Sequence, residues 1–216
     1  MKFNIFTKLL SKIHRFKGTT IIQFGPPRSG TTLIYNILKD IFTDQFVETR
    51  HYYRESDSKF PTVVTYRNPL DSISSSILRY GLQPTNEVIE KQILEFERNG
   101  IWKVLEIKNN KNVLMLKYEN FFNNYDVIFN SFERFFNTII SDKLRKVITE
   151  RYSIESVEKI IQNMKSYKEI DKKTLYHGKH ININKGRCNF HKDFLKDEQI
   201  KYLNHVYKDF NETFNY

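Results

Sequence analysis

The stretch Thr19-Thr20-Ile21-Ile22-Gln23-Phe24-Gly25-Pro26-Pro27-Arg28-Ser29-Gly30-Thr31-Thr32 reads as a strand that runs through a glycine turn into a helix. The residues before Gly25 are mostly β-branched or apolar, the composition of a strand. Leu33, Ile34, Ile37, Leu38 and Ile41 then recur at helical spacing and predict a helix from about Thr31 to Phe42. The same unit returns twice. Thr62-Val63-Val64-Thr65-Tyr66 is a second strand, with a helix beginning after Pro69, and Asn112-Val113-Leu114-Met115-Leu116-Lys117 is a third. The helix after it carries Phe121, Phe122, Tyr125, Ile128, Phe129, Phe132, Phe135 and Phe136, an aromatic stripe that belongs in a core. Between the second and third units, Asn86 to Lys108 reads as one long charged helix. Helices recur to the end, the last from about Asp197 to Phe214. Strand, turn and helix in repetition predict an α/β protein of three layers, a central parallel sheet flanked by helices. In such sheets ligands sit outside the carboxyl ends of the strands.

The chain has 216 residues, enough for one domain with a substantial core and a tight fit for two, so length favours one. Its 35 Lys and Arg against 25 Asp and Glu leave a charge of +10, which draws anionic partners without choosing among them. One cysteine, Cys188, excludes an intrachain disulfide and suits a reducing, cytoplasmic setting. No stretch approaches the roughly 18 apolar residues that would span a bilayer. In residues 1–17, Phe3, Ile5, Phe6, Leu9, Leu10, Ile13 and Phe16 alternate with Lys2, Lys8, Lys12, Arg15 and Lys17, the pattern of an amphipathic helix. Such a helix either docks on its own domain, the preferred expectation, or makes peripheral contact with an anionic membrane. Residues 18–216 then form a single α/β domain.

The turn is the strongest local signal. Backbone N–H groups at a glycine turn and helix start converge on an anion, aided by the positive end of the helix. In the nucleoside-triphosphate loop, GxxxxGK[ST], a lysine reaches the outer phosphates and a hydroxyl holds Mg²⁺. Here Thr31 follows the second glycine and the cation lies inside the loop, at Arg28. That arrangement suits a donor with one phosphate and one further charged group better than a metal-bound triphosphate. Pro27-Arg28-Ser29-Gly30-Thr31-Thr32 resembles the 5′-phosphosulfate loop of the sulfotransferases that use 3′-phosphoadenosine 5′-phosphosulfate (PAPS).

A second segment, Arg67-Asn68-Pro69-Leu70-Asp71 with Ser75 eight residues after the arginine, is similar to that family's 3′-phosphate motif. Locally, Asn68 is an N-cap, Pro69 takes the first helical position, and Asp71 is placed to return a capping-box bond. The resemblance gives Arg67 and Ser75 to the 3′-phosphate. Leu116-Lys117-Tyr118-Glu119-Asn120 looks like the family's Leu-x-Tyr-Glu-Asp segment, which implies a donor contact for Tyr118. Asn184-Lys185-Gly186, with Phe190-His191-Lys192-Asp193-Phe194 after it, resembles the Lys-Gly loop, which adds Lys185 and Gly186. The donor set is thus Arg28, Ser29, Gly30, Thr31, Thr32, Arg67, Ser75, Tyr118, Lys185 and Gly186. Leu33 departs from the pattern, standing where many members carry an adenine-stacking tryptophan. The interval from Arg28 to Arg67 is short for the family, which favours an open cleft.

The resemblance implies sulfo transfer from PAPS to an acceptor hydroxyl, a glycan among the candidates, by in-line attack with adenosine 3′,5′-bisphosphate (PAP) leaving. Arg28 faces the reacting group, and the acceptor proton calls for a base. His51, in Glu48-Thr49-Arg50-His51, occupies the family's interval for a catalytic histidine, with Arg50 standing in for a lysine and Glu48 and Glu55 as the alternative bases. His177 and His180 are spaced like metal ligands, yet Lys172, Lys173 and Lys179 surround them and no carboxylate completes a site, so a basic anion-contacting loop is expected and no metal. Two other classes stay open: an ATP-using kinase, against which the missing lysine counts, and a non-catalytic basic module for nucleic acid or acidic glycan. On the leading reading no nucleic-acid partner is expected.

Overall fold

A computed structural model describes residues 20–216; the predicted helix over residues 1–17 and the first residue of the predicted opening strand lie outside the described residues. Four strands build the sheet: β1 (Thr20–Phe24), β2 (Phe46–Arg50), β3 (Thr62–Tyr66) and β4 (Val113–Lys117). All pair in parallel in the order β2-β1-β3-β4. Helix α1 (Thr31–Ile41) carries the chain from β1 to β2. The chain then crosses β1 to reach β3, from which α2 (Pro69–Arg79) leads the other way. The direction of winding reverses between β1 and β3, and a crevice opens there at the carboxyl ends.

Each strand presents residues alternately to the two faces, and both faces are covered. Ile21 and Val63 pack with Ile34 and Leu38 of α1 and with Phe129, Phe132 and Phe136 of the helix after β4. On the opposite face Ile22, Phe24 and Val64 pack with Ile73 and Ile77 of α2 and with Phe96 and Phe210. Burying each such side chain contributes about 1.5–3 kcal/mol. The predicted three-layer architecture is present.

Several elements depart from the sequence expectations. β2 was not expected: it is an edge strand whose Glu48 and Arg50 break the apolar run that marks β1 and β3. The long helix over Asn86–Lys108 is two helices, α3 (Asn86–Arg98) and α4 (Ile101–Ile107). They part at Gly100, whose φ of 81° is left-handed and which lies so close to Phe24 that a Cβ would approach its ring to 2.9 Å. The aromatic helix after β4 divides into one turn, α5 (Tyr118–Phe121), and α6 (Tyr125–Phe136). α7 (Asp142–Arg151) and α8 (Ile154–Ile161) follow. Residues 162–190 hold neither helix nor strand, apart from one bridge between Ile170 and His177. Leu175, Lys179, Lys185, Gly186 and Asn189 all take positive φ there and bend the backbone away from any regular course. A short turn α9 (His191–Phe194) leads to α10 (Asp197–Val206) and α11 (Lys208–Phe214), which break at Tyr207 where one terminal helix was expected. No helix among the described residues is long and apolar enough to cross a membrane.

Candidate active site

The carboxyl ends of all four strands open into one cavity of about 450 Å³. β1 delivers the glycine turn, β2 delivers His51, β3 delivers Arg67 and β4 delivers Tyr118. Arg28, Gly30, Thr31 and Thr32 line the cavity from the turn, and Arg67 and Ser75 line it from the β3 end and α2. Tyr118 comes from the β4 end, and Lys185 and Gly186 from the irregular segment opposite. Residues chosen for scattered sequence motifs therefore meet around one space.

A buried polar network shapes the turn. Thr49 Oγ1 donates to Gln23 Oε1 at 2.5 Å, Gln23 Nε2 donates to Thr65 Oγ1 at 3.3 Å, and Ser29 Oγ lies 3.0 Å from Thr65 Oγ1. Ser29 also donates to the Pro26 carbonyl at 2.7 Å. Its hydroxyl is thus turned into the floor, and among the expected donor-site residues it alone does not line the cavity. Arg28 holds φ 64°, costly for a residue with a Cβ, and Gly30 holds φ 87° against the Phe121 ring. Gly30 caps α1 without a side-chain acceptor, and the first turn has no acidic residue. The leading N–H groups of the helix, which have no intrahelical partner, thereby remain as an anion-binding start.

Arg28 donates from Nε to Ser75 Oγ at 3.1 Å and from Nη2 to the His180 carbonyl at 3.2 Å. Burial, with Arg79 and Arg67 nearby, lowers its guanidinium to about 10, so it is cationic at neutral pH. Arg67 is buried and donates from Nη2 to the carbonyls of Gly186 (3.1 Å) and Arg187 (2.8 Å), while its Nε has no partner. Its plane lies 4.2 Å from the centre of the Tyr118 ring. Tyr118 stacks on Phe122 and donates to the Gly186 carbonyl at 2.9 Å; burial pushes its hydroxyl up to about 12 and keeps it protonated. Ser75 is buried and receives a further bond from Asn182 Nδ2 at 3.1 Å. Lys185 pairs its ammonium with Glu158 at 3.3 Å.

His51 is exposed on the cavity wall, with Nδ1 2.7 Å from the Gly25 carbonyl. A carbonyl only accepts, so Nδ1 bears a hydrogen, and in the neutral imidazole Nε2 is the nitrogen with a lone pair. The alternative bases are elsewhere. Glu48 grips Arg50, whose hydrogen bonds hold its carboxyl below the usual range, and neither Glu48 nor Glu55 lines the cavity. Arg50 forks to Glu48 and to Asp57 (2.9 Å), which corrects its expected place as a stand-in for a site lysine.

Asp71 also differs from expectation. Its carboxylate does not return to the helix cap, where Asn68 Oδ1 alone receives the Leu70 N–H. It accepts instead from Asn189 N (2.7 Å), His191 N (3.0 Å) and His191 Nδ1 (2.7 Å). Burial alone would raise this carboxyl; the His191 bonds and the Arg67 charge outweigh it and hold it below its ordinary value. The bonds pin the far segment to α2.

His177 and His180 line the cavity as a ring pair with centroids 4.7 Å apart. Burial, reinforced by Arg79 and Arg28, lowers His177 to about 4 and pushes His180 well down, so both are neutral. No three His, Cys, Asp or Glu side chains gather into a metal-like group among the described residues. Sequence reasoning passed over Arg79, although Asp71, Ser75 and Arg79 step by four along α2, a signal that was present.

No protein-family model matches the chain, and no curated protein matches it in sequence. Solved structures do. A crystal structure of the mouse sulfotransferase SULT7A1 complexed with PAP superposes with a TM-score of 0.63 at 15% identity, covering 94% of this chain and 88% of that one. Retinol dehydratase with androsterone and inactive cofactor PAP gives 0.59 at 15%, covering 94% and 84%. Retinol dehydratase with retinol and PAP gives 0.60 at 14%, covering 94% and 85%. At such identities the likeness is one of architecture: the chain has the sulfotransferase fold.

Proposed function

We propose that the protein transfers a sulfo group from PAPS to an acceptor hydroxyl. One observation carries this reading: Arg28 on the glycine turn, Arg67 at the end of β3, Ser75 on α2, and His51 line the same cavity. The PAP in the solved structures of like fold lends support.

The residues fit such a donor. The uncapped start of α1 and the Arg28 guanidinium suit a 5′-phosphosulfate, and the buried Arg67, with an unpartnered Nε, suits a 3′-phosphate beside Ser75. The donor supplies a sulfo group whose bond to the bridging phosphate oxygen breaks as a bond to the acceptor oxygen forms. Arg28 and the loop N–H groups oppose the negative charge that collects on the bridging oxygen. His51 Nε2 takes the acceptor proton, and its Nδ1–H bond to Gly25 fixes the ring in the tautomer that can do so. Tyr118, with Arg67 over its ring, and Phe122 stacked beside it line the part of the cavity assigned to the adenine.

A thermal-shift series followed by labelled-sulfate transfer to pooled acceptors tests the reading. PAP without Mg²⁺ should stabilise the protein well beyond ADP, by about 2.7 kcal/mol at a hundredfold excess over Kd. Equal or greater stabilisation by Mg-ATP would turn the assignment to a kinase.

A further inference from the structure

Among the described residues three arginines line the cavity, and the proposed donor occupies two of them. Arg28 belongs to the turn that would hold the 5′ end, and Arg67 with Ser75 to the 3′ end. Arg79 has no such assignment. It lies one helical turn beyond Ser75, about 6 Å further along the axis and away from Arg67. Its Nε is buried without a hydrogen-bond partner, and it forms no ion pair among the described residues. The rings of Tyr80 and Tyr167, edge to face with one another, lie beside its guanidinium with centroids at 5.5 and 5.8 Å. An arginine that lies beside aromatic rings and forms no ion pair among the described residues keeps N–H donors available to a carboxylate or sulfate, groups a guanidinium binds as a fork.

Arg79 shares this corner with Arg28, whose Nε and Nη2 are already bonded to Ser75 and the His180 carbonyl. His177 and His180 stand beside Arg79 as neutral rings, and the unbonded Nδ1 of His180 adds a further buried polar atom in search of a partner. A guanidinium without an ion pair, beside two aromatic rings at the edge of a reaction cavity, makes a receptor for one negative group.

We infer that Arg79 reads an anionic group, a carboxylate or sulfate, on the acceptor, so that the substrate is an acidic hydroxyl compound rather than a neutral one. This rests on the sulfotransferase reading and adds the acceptor's charge to it.

The test uses the whole chain saturated with PAP, so that the donor's own sites are filled. Matched probes are then titrated by thermal shift and calorimetry: 4-hydroxyphenylacetate against 4-methylphenol, and a glucuronate-containing hexasaccharide against neutral chitohexaose. In at least one pair the acidic member should bind about tenfold or more tightly than its neutral partner. Arg79→Gln should erase that preference and leave PAP affinity unchanged, while Arg79→Lys should keep part of it. Retention of the full preference in Arg79→Gln, or no acidic preference in either pair, overturns the inference. Weakened PAP binding in Arg79→Gln overturns it too, by returning Arg79 to the donor. Failure of PAP itself to bind defeats the sulfotransferase reading first and this inference with it; normal PAP binding with no charge preference defeats this one alone.

Discussion

The floor and the far wall of the cavity are built in different ways. The floor consists of strand ends and the first turn of α1, tied by Gln23, Ser29, Thr49 and Thr65, side chains that bond to one another beneath the surface. The wall is the irregular segment 162–190, whose bonds run to the cations and hydroxyl of the site. The His180 carbonyl receives Arg28, the Gly186 and Arg187 carbonyls receive Arg67, and Asn182 donates to Ser75. A floor satisfied from within holds its shape whatever lies above it. A wall whose anchors are the same groups that suit phosphate and sulfate is coupled to what those groups hold, because each guanidinium has a fixed number of N–H donors to share. Rigidity here follows from where the hydrogen bonds end, more than from how many there are.

The comparison can be broken or sharpened by substitution, beginning with the largest effect. His51→Ala removes the proposed base while leaving the floor network, Arg28 and Arg67 in place. Sulfo transfer should fall by about 10²–10⁴-fold with PAP affinity preserved, measured by single-turnover transfer beside calorimetry. Loss of PAP binding in that variant would make His51 part of the framework instead.

Asp71→Ala cuts the tie between α2 and the wall. Removing one member of this buried charged cluster should cost about 3–5 kcal/mol in urea unfolding. Hydrogen exchange should rise at residues 187–194 before it rises in β1. Uniform loosening of both regions would contradict the division drawn above. The Asp71 carboxyl also has a pH signature. Its folded pKa lies below its ordinary 3.8, so its contribution is fully present above that value and is lost as pH falls towards the folded pKa. The stability advantage over Asp71→Asn should shrink below about pH 4; an advantage that grows with acidification would show the sign to be wrong.

Arg67→Ala should weaken PAP by about 1.5–3 kcal/mol and abolish the preference for a 3′-phosphate over AMP. Unchanged discrimination would detach Arg67 from the 3′ end. The smallest effect is expected in the floor. Thr49→Val removes one hydrogen bond to Gln23 and should cost about 0.5–1.5 kcal/mol of stability without altering donor preference. A change in PAP affinity there would mean that the floor, too, answers to the ligand.

What the sequence by itself determined is local. β1, β3 and β4 were legible because their apolar runs are continuous, and the turn because Gly25, Arg28 and Gly30 stand between a strand and an amphipathic helix. Arg67 and Ser75 could be chosen because they fall at a strand end and on the helix that follows it. Tertiary structure decided the rest. β2 is a strand because Phe46–Arg50 finds the free edge of β1, although its own residues alternate with charges. Asp71 reached across 118 residues to Asn189, in place of the three-residue loop of a cap, because the folded chain brought better donors to it. The break at Gly100 answers to the Phe24 ring on another element. Arg79 lines a cavity only because residues far away in the chain close around it. Patterns of period two and near four are written in neighbouring residues, so they survive without a fold. Which carbonyl meets which guanidinium depends on backbone brought together from distant parts of the chain, and only packing specifies that.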